Sequence, residues 1–246
     1  EAQEIDQAEG KILLETSDVT LLFGGLMAVN HVDLIVREGQ ITSLIGPNGA
    51  GKTTLFNVIT GIYRPNSGKV VFAGEAITNL KPHQITPKGI ARTFQNIRLF
   101  PSLTCIENVM SGAHSHAKSG LWSSIVHPPG QQQEERQILE LASYCLHQVG
   151  LWDYRNELAK NLPYGKQKVL EIARALASSP RLLVLDEPSS GLNDAETEEL
   201  VGLLTKLSAD GYSLLLIEHD MNVVMGISDT VTVMEMGTKV AEDLPQ

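Results

Sequence analysis

Three stretches of the chain read as continuous apolar runs, broken by no charge and by nothing larger than a hydroxyl: residues 41–45 (ITSLI), 182–185 (LLVL) and 213–217 (SLLLI). A strand with one wet face alternates apolar and polar positions. An unbroken apolar run implies burial on both faces, as in a parallel sheet covered by helices. Each run ends abruptly in polar chemistry: GPNGAGKTT, then DEP, then EHD. Open parallel sheets bind ligands beyond the carboxyl ends of their strands, so three polar clusters at three such ends imply one shared site. Helical spacing of apolar positions predicts helices over 52–60, 195–208 and 220–226. VDLIV (32–36) and KVVFAG (69–74), the latter after an NSG turn at 66–68, predict shorter antiparallel strands. From about 96 to 165 the texture changes. Two helical patterns, near 104–117 and 132–149, flank a loop containing HPPG and predict a helical insertion into an α/β core.

The domain expectation is therefore a flexible tail over 1–10, a core formed by 11–95 and 166–246, and a helical subdomain over 96–165. The tail, EAQEIDQAEG, is acidic and polar. Acidic residues outnumber basic ones, 29 to 19, for a formal net charge of -10. With no clustered Lys/Arg run, that balance argues against nucleic acid as a partner. The two cysteines, Cys105 and Cys145, stand far apart in unrelated contexts, which argues against a disulfide framework and for a reduced, cytosolic setting. No apolar run approaches the roughly 20 residues that span a bilayer, and no signal peptide opens the chain. Any membrane role is expected from the cytosolic side. His114 and His116 invite a metal reading, but residues two apart do not share a helix face. Trp122 and Trp152 are expected to pack the helical subdomain, and Met221, Met225, Met234 and Met236 to fill core.

Residues 46–53, GPNGAGKT, fit G-x-x-x-x-G-K-S/T and lie between a predicted buried strand and a predicted helix, the context this pattern requires. Gly46, Gly49 and Gly51 let backbone N–H groups turn toward phosphate oxygens, with the positive helix end behind them. Pro47, Asn48, Ala50 and Thr54 complete the expected ATP-binding segment. Lys52 is placed to reach the β- and γ-phosphates, and the Thr53 hydroxyl to ligate Mg²⁺. RLLVLDEP supplies carboxylates: Asp186 for Mg²⁺, and Glu187 to polarise a water for in-line attack.

With GPNGAGKTT, LLVLDEP, SSGLN and LLIEHD in this order, the sequence resembles the ATP-binding subunits of ABC transporters over residues 11–245. The resemblance implies an α/β P-loop NTPase fold of ABC type, with a mainly parallel core sheet, an antiparallel β subdomain and a helical insertion. It implies that Gln95, in RTFQNIRLF, senses Mg²⁺ and the γ-phosphate, and that His219 contacts the γ-phosphate. Phe23 matches the aromatic that stacks on adenine. SSGLND (189–194) matches the D-loop, with Asn193 where many members have Asp. FGGLMAVNHV, YGKQKVLEIARALA and LLIEHDMNVVMGISD look like the ATPase of branched-chain or hydrophobic amino-acid importers. In that group LFPSLT, after Gln95, would receive a coupling helix of the permease. Relatives usually continue beyond AEDLPQ with a short helix, and no C-terminal regulatory domain is expected.

NLPYGKQK (161–168) stands where the family carries Leu-Ser-Gly-Gly-Gln, the segment that grips ATP bound by the opposite subunit. Leu162 and Gly165 match; Pro163, Tyr164 and Lys166 replace Ser, the first Gly and Gln. Val169, Ile172, Ala173 and Leu176 recur at helical spacing, so a helix is expected to begin here, with Pro163 in its first turn and Lys166 attracting phosphate.

The implied function is ATP hydrolysis, with ATP and Mg²⁺, that powers an importer from the cytoplasmic face of the membrane. The implied partners are permease subunits, a second ATPase subunit (like or unlike), and indirectly a substrate-binding protein. The competing classes are an importer ATPase for another small solute, a soluble ABC ATPase acting on ribosomes or DNA, and a non-hydrolysing switch. The soluble class usually carries tandem cassettes, coiled coils or basic arms, and intact Glu187 and His219 argue against the switch.

Overall fold

The computed structural model describes residues 10–113 and 129–245, which form two compact units: residues up to 95 together with 181 onward, and residues 96–180. The first unit is α/β. It opens with two long strands, β1 (Ile12–Phe23) and β2 (Leu26–Arg37), then β3 (Ile41–Ile45) and helix α1 (Lys52–Ile59). β4 (Ser67–Phe72), β5 (Glu75–Ala76), the short α2 (Pro82–Ile85) and β6 (Ile90–Arg92) follow. The chain re-enters this unit at β7 (Leu182–Asp186) and ends with α6 (Asp194–Ala209), β8 (Ser213–Ile217), α7 (Met221–Ile227), β9 (Thr230–Glu235) and β10 (Thr238–Asp243). The second unit holds α3 (Cys105–Ala113), α4 (Pro129–Gln148) and α5 (Tyr164–Leu176).

The α/β unit contains a six-stranded sheet in the order β10-β9-β3-β8-β7-β6, parallel except for β10, and an antiparallel sheet β2-β1-β4-β5. The three uninterrupted apolar runs are its central strands β3, β8 and β7, and every residue of β7 and β8 is buried. Leu14, Val32, Leu34, Leu55, Phe56, Val184 and Leu215 share one core cluster, so α1 and both sheets are packed into a single apolar interior. Fully burying each such side chain is worth about 1.5–3 kcal/mol before the entropy of ordering is charged against it.

β1 escapes the alternation test. Its register against β2 shifts between Thr16 and Val19, and Asp18 and, across the pair, His31 adopt left-handed backbone, so the inward set changes phase along the strand. Their side chains meet, Asp18 Oδ1 against His31 Nδ1.

The helical unit runs to residue 180, not 165, because α5 packs against α3 and α4. α3 and α5 cross closely at Gly112, where a Cβ would lie 2.0 Å from the Arg174 carbonyl oxygen. α5 carries the buried Glu171, paired with Arg174 at 3.5 Å and accepting from the Arg98 amide at 3.2 Å. Trp152 stacks on His147 at 4.3 Å and lies under the Arg155 guanidinium. Residues 1–9, His114, His116, Trp122, Pro128 and the 114–117 end of the expected first helix lie outside the described residues.

The methionines depart from expectation. Met234 is fully buried, but Met221, Met225 and Met236 are exposed, the last at 83%. α7 buries only its Val223–Val224 face, and Met236 occupies the β9–β10 turn in left-handed backbone.

Candidate nucleotide site

The registers of the parallel sheet set the geometry. Leu44 of β3 pairs with Ile217 of β8, and Ile217 with Asp186 of β7, so three strands reach their carboxyl ends at one level. The loop after β3 (residues 46–51), Asp186–Glu187 after β7, and Glu218–His219 after β8 therefore emerge along one edge.

Two glycines of that loop are fixed by contact. At Gly46 (φ 144°) a Cβ would lie 2.1 Å from the Met234 carbonyl, and at Gly51 (φ 98°) 2.3 Å from the Ala28 carbonyl. Only glycine allows both the backbone angle and the approach. Gly51 is also the N-cap of α1, so the loop's amides and the unpaired amides of the first helical turn face the same space. That space is a cavity of about 520 Å³ whose wall includes Asn48, Gly49 and Ala50, the α1 residues Lys52, Thr53 and Thr54, and Glu187. Phe23, Leu26, Met27 and Met236 give it an apolar side, and the Phe23 ring meets Tyr63 edge-on at 5.2 Å.

The polar groups at this edge are already paired with one another. Lys52 Nζ donates to the carbonyl oxygens of Gly46 (2.6 Å) and Pro47 (3.0 Å). Burial lowers its pKa, and the nearby carboxylates of Glu187 and Asp186 oppose that shift. Gln95 Nε2 donates to Glu187 Oε2 at 2.7 Å. Glu187 itself is in left-handed backbone (φ 49°), its N–H donating to the Ile217 carbonyl at 2.9 Å. A non-glycine residue in that region costs of order 1–3 kcal/mol and concentrates at functional sites. Asp186, buried at the end of β7, pairs through Oδ2 with Arg92 at 2.8 Å. His219 lies beyond β8, exposed, its amide donating to Glu218 Oε2.

Thus the edge gathers Gly46–Thr54, Asp186, Glu187 and Gln95, with Phe23 on the wall of the same cavity. Two charged residues were missed by the sequence reading. Arg92 is one. Glu218, fully buried, is the other: it accepts from the Ser189 amide at 2.8 Å as well as from His219, joining the segment after Glu187 to the segment after β8. Their only sequence signal was a charge set beside a strand end, in ARTFQ and LLIEHD.

Residues 162–166 belong to the helical unit. Pro163 is the N-cap of α5, with extended backbone, and Tyr164 opens the helix, so the proline stands just before the first turn rather than in it. Leu162 and Gly165 are buried, and Tyr164 is exposed. The Lys166 ammonium does not point away as a free cation. It sits 3.7 Å from the centre of the Tyr154 ring and bonds the Tyr154 hydroxyl. Asn193, at the D-loop position, caps α6: its side chain accepts from the Glu196 amide at 3.0 Å while Glu196 accepts from the Asn193 amide at 3.1 Å.

Residues 29–190 match the model of the ABC transporter family. The chain is 45% identical over 235 residues to the high-affinity branched-chain amino acid transport ATP-binding protein BraF of Pseudomonas aeruginosa, covering 95% of this chain and 92% of that protein. Among solved structures it is similar to a nucleotide-free ATP-binding cassette from an ABC transporter (TM-score 0.84, 33% identity, 96% of this chain and 92% of that one). It is also similar to the dimeric structure of a bacterial ABC transporter cassette (TM-score 0.79, 26% identity, 95% and 99% covered). A strand-end phosphate loop, a carboxylate pair and likeness along nearly the full chain lead to one conclusion: this chain belongs to the ABC transporter family and is one of its ATP-hydrolysing cassettes.

Proposed function

We propose that the chain is the ATPase of a membrane importer for branched-chain or similarly hydrophobic amino acids, working as a dimer at the cytoplasmic face. The observation that supports it most is the joint presence of the Gln95–Glu187 contact beside the phosphate loop and 45% identity to a branched-chain amino acid transport protein.

ATP enters with its base against Phe23 and its phosphates against the amides of residues 48–54. Lys52 exchanges the Gly46 and Pro47 carbonyls for the β- and γ-phosphates. The donor set suits Mg²⁺, which prefers hard oxygen ligands: the Thr53 hydroxyl, the Gln95 side-chain oxygen and the Asp186 carboxylate. Held by these residues, the ion would supply positive charge against the phosphates. Gln95 then lets go of Glu187, whose freed carboxylate orients a water and accepts its proton as the water attacks the γ-phosphorus. His219 donates to the γ-phosphate as charge builds there. Phosphate from the partner cassette's ATP is held by the α5 amides of residues 164–166, a ready anion site. Lys166 holds that end of the helix against Tyr154 rather than reaching the phosphate. Closure of the dimer moves the permease helices, and hydrolysis releases them.

Affinity purification from native membranes tests this reading. It should recover multi-span permease subunits and, through them, a substrate-binding protein whose ligand is a branched-chain amino acid. Recovery of ribosomal or DNA-repair proteins without a permease would reject the reading.

A further inference from the structure

Arg92 is the last residue of β6, paired in register with Val184 of β7. Val184 and Asp186 point to the same face of β7, two residues apart, so a long side chain at position 92 can run along the strand to the carboxylate. Its guanidinium does so. One nitrogen donates to Asp186 Oδ2 at 2.8 Å, and the other to Asn57 Oδ1 at 2.7 Å and Thr60 Oγ1 at 3.0 Å. The group lies over the rings of Phe56 (5.7 Å) and Phe94 (5.1 Å). Only 6% of the Arg92 side chain and 5% of the Asp186 side chain are exposed.

A surface arginine could pair with Asp186 for stability alone. This one is buried, bonds through both terminal nitrogens and meets the carboxylate at one oxygen, Oδ2, leaving the other for the cation. Its other terminal nitrogen bonds Asn57 in the second half of α1 and Thr60 at that helix's C-cap, and the first turn of the same helix carries Lys52 and Thr53. Three residues after it the chain reaches Gln95. We propose that Arg92 is a positioning residue for divalent-cation binding: it fixes the rotamer of Asp186 relative to α1, and so sets the spacing between the Thr53 hydroxyl and the Asp186 carboxylate. The planar fork is what allows one side chain to hold two elements at once, which the single ammonium of lysine does not reproduce.

Coulombic and positioning roles have opposite signs. If Arg92 acted only as a nearby positive charge, its loss would strengthen Mg²⁺ binding. If it aims the carboxylate, its loss weakens Mg²⁺ binding, as the loss of partners behind metal ligands usually does, by about 10- to 100-fold.

The inference rests on Asp186 being a Mg²⁺ ligand, and the test separates the two. Equilibrium binding of a fluorescent ATP analogue to the full chain is titrated with Mg²⁺ and repeated in EDTA, for wild type, Asp186→Asn, Arg92→Lys and Asn57→Ala, with thermal melting of each. Asp186→Asn should lose the Mg²⁺ response. Arg92→Lys should raise the Mg²⁺ half-saturation about tenfold or more while leaving EDTA affinity near wild type. Asn57→Ala, which keeps both charges, should shift it in the same direction by less. A response in Asp186→Asn like that of wild type would overturn the site reading together with the inference. Loss in Asp186→Asn with an unchanged or tighter Mg²⁺ constant in Arg92→Lys would overturn the inference alone, even if melting falls. Should Arg92→Lys fail to fold, Asn57→Ala decides by the same criterion.

Discussion

The two units present phosphate-directed chemistry in opposite ways. In the α/β unit the functional groups answer one another: Lys52 is held by its own loop, Gln95 by Glu187, and Asp186 by Arg92. At this edge two of the productive contacts replace existing ones: Lys52 leaves the Gly46 and Pro47 carbonyls, and Glu187 leaves Gln95. In the helical unit the end of α5 presents backbone amides and an exposed tyrosine, and its cation, Lys166, is committed to Tyr154. The first unit supplies two reactive groups, Lys52 and Glu187, that must be released, and one, Asp186, that stays held. The second supplies a fixed helix end that must be met by something outside its own chain.

The sharpest way to break this contrast is Glu187→Gln. It leaves the α5 end untouched and removes the base, so ATP turnover should fall by about 10²–10⁴-fold with nucleotide affinity little changed. A single-turnover assay checks it, and near-normal hydrolysis would take the base role away from Glu187.

Next comes a matched pair of glycine substitutions. Gly46→Ala drives a Cβ into the Met234 carbonyl, and Gly112→Ala drives one into the Arg174 carbonyl. Each should cost about 3 kcal/mol in urea unfolding, but only Gly46→Ala should also abolish nucleotide binding in the folded fraction.

A smaller effect is confined to the helical unit. Burial pushes the Cys145 thiol up to about 11 from its ordinary 9.0. The folded state therefore holds this proton longer than the unfolded chain. The associated stability is whole below about pH 9 and is lost as pH rises toward 11. At pH 10 the loss should be about 1 kcal/mol, read as the difference in urea midpoint shift between wild type and Cys145→Ala.

Smallest is Lys166→Ala. A cation over an aromatic ring is worth about 0.5–2 kcal/mol, so the variant should unfold slightly earlier while ATP-driven dimerisation, measured in a Glu187→Gln background, stays as it was. Loss of dimerisation would return Lys166 to the phosphate and erase part of the contrast between the units.

Much of this was legible in the chain. The runs named β3, β7 and β8 because burial on both faces leaves no charged position to blur them before the strand end, only small hydroxyls at Thr42, Ser43 and Ser213. Position in the pattern led to the phosphate loop and the carboxylates. β1 was not legible, because its bulges at Asp18 and Thr20 shift the inward set midway. The end of the helical unit was misplaced for another reason: a helix can be amphipathic against either neighbour, and α5's sequence does not say which it packs on. Lys166 was expected to attract phosphate beside a helix N-terminus, and its contact with Tyr154 was not legible. Its partner, Tyr154, is twelve residues away and joined only by the fold. Arg92 and Glu218 were silent for a similar reason: a charge at a strand end reads as solvated until the third dimension buries it.

The left-handed backbone at Glu187 carries a consequence for anyone who engineers this protein. Glycine, and to a lesser degree asparagine, would rest more comfortably at φ 49° than glutamate does. A library screened for heat resistance alone should therefore enrich those residues at position 187, and its most robust clones would be the ones that no longer turn over ATP. Any such screen needs an activity gate, since thermal selection and the biological role pull this one codon in opposite directions.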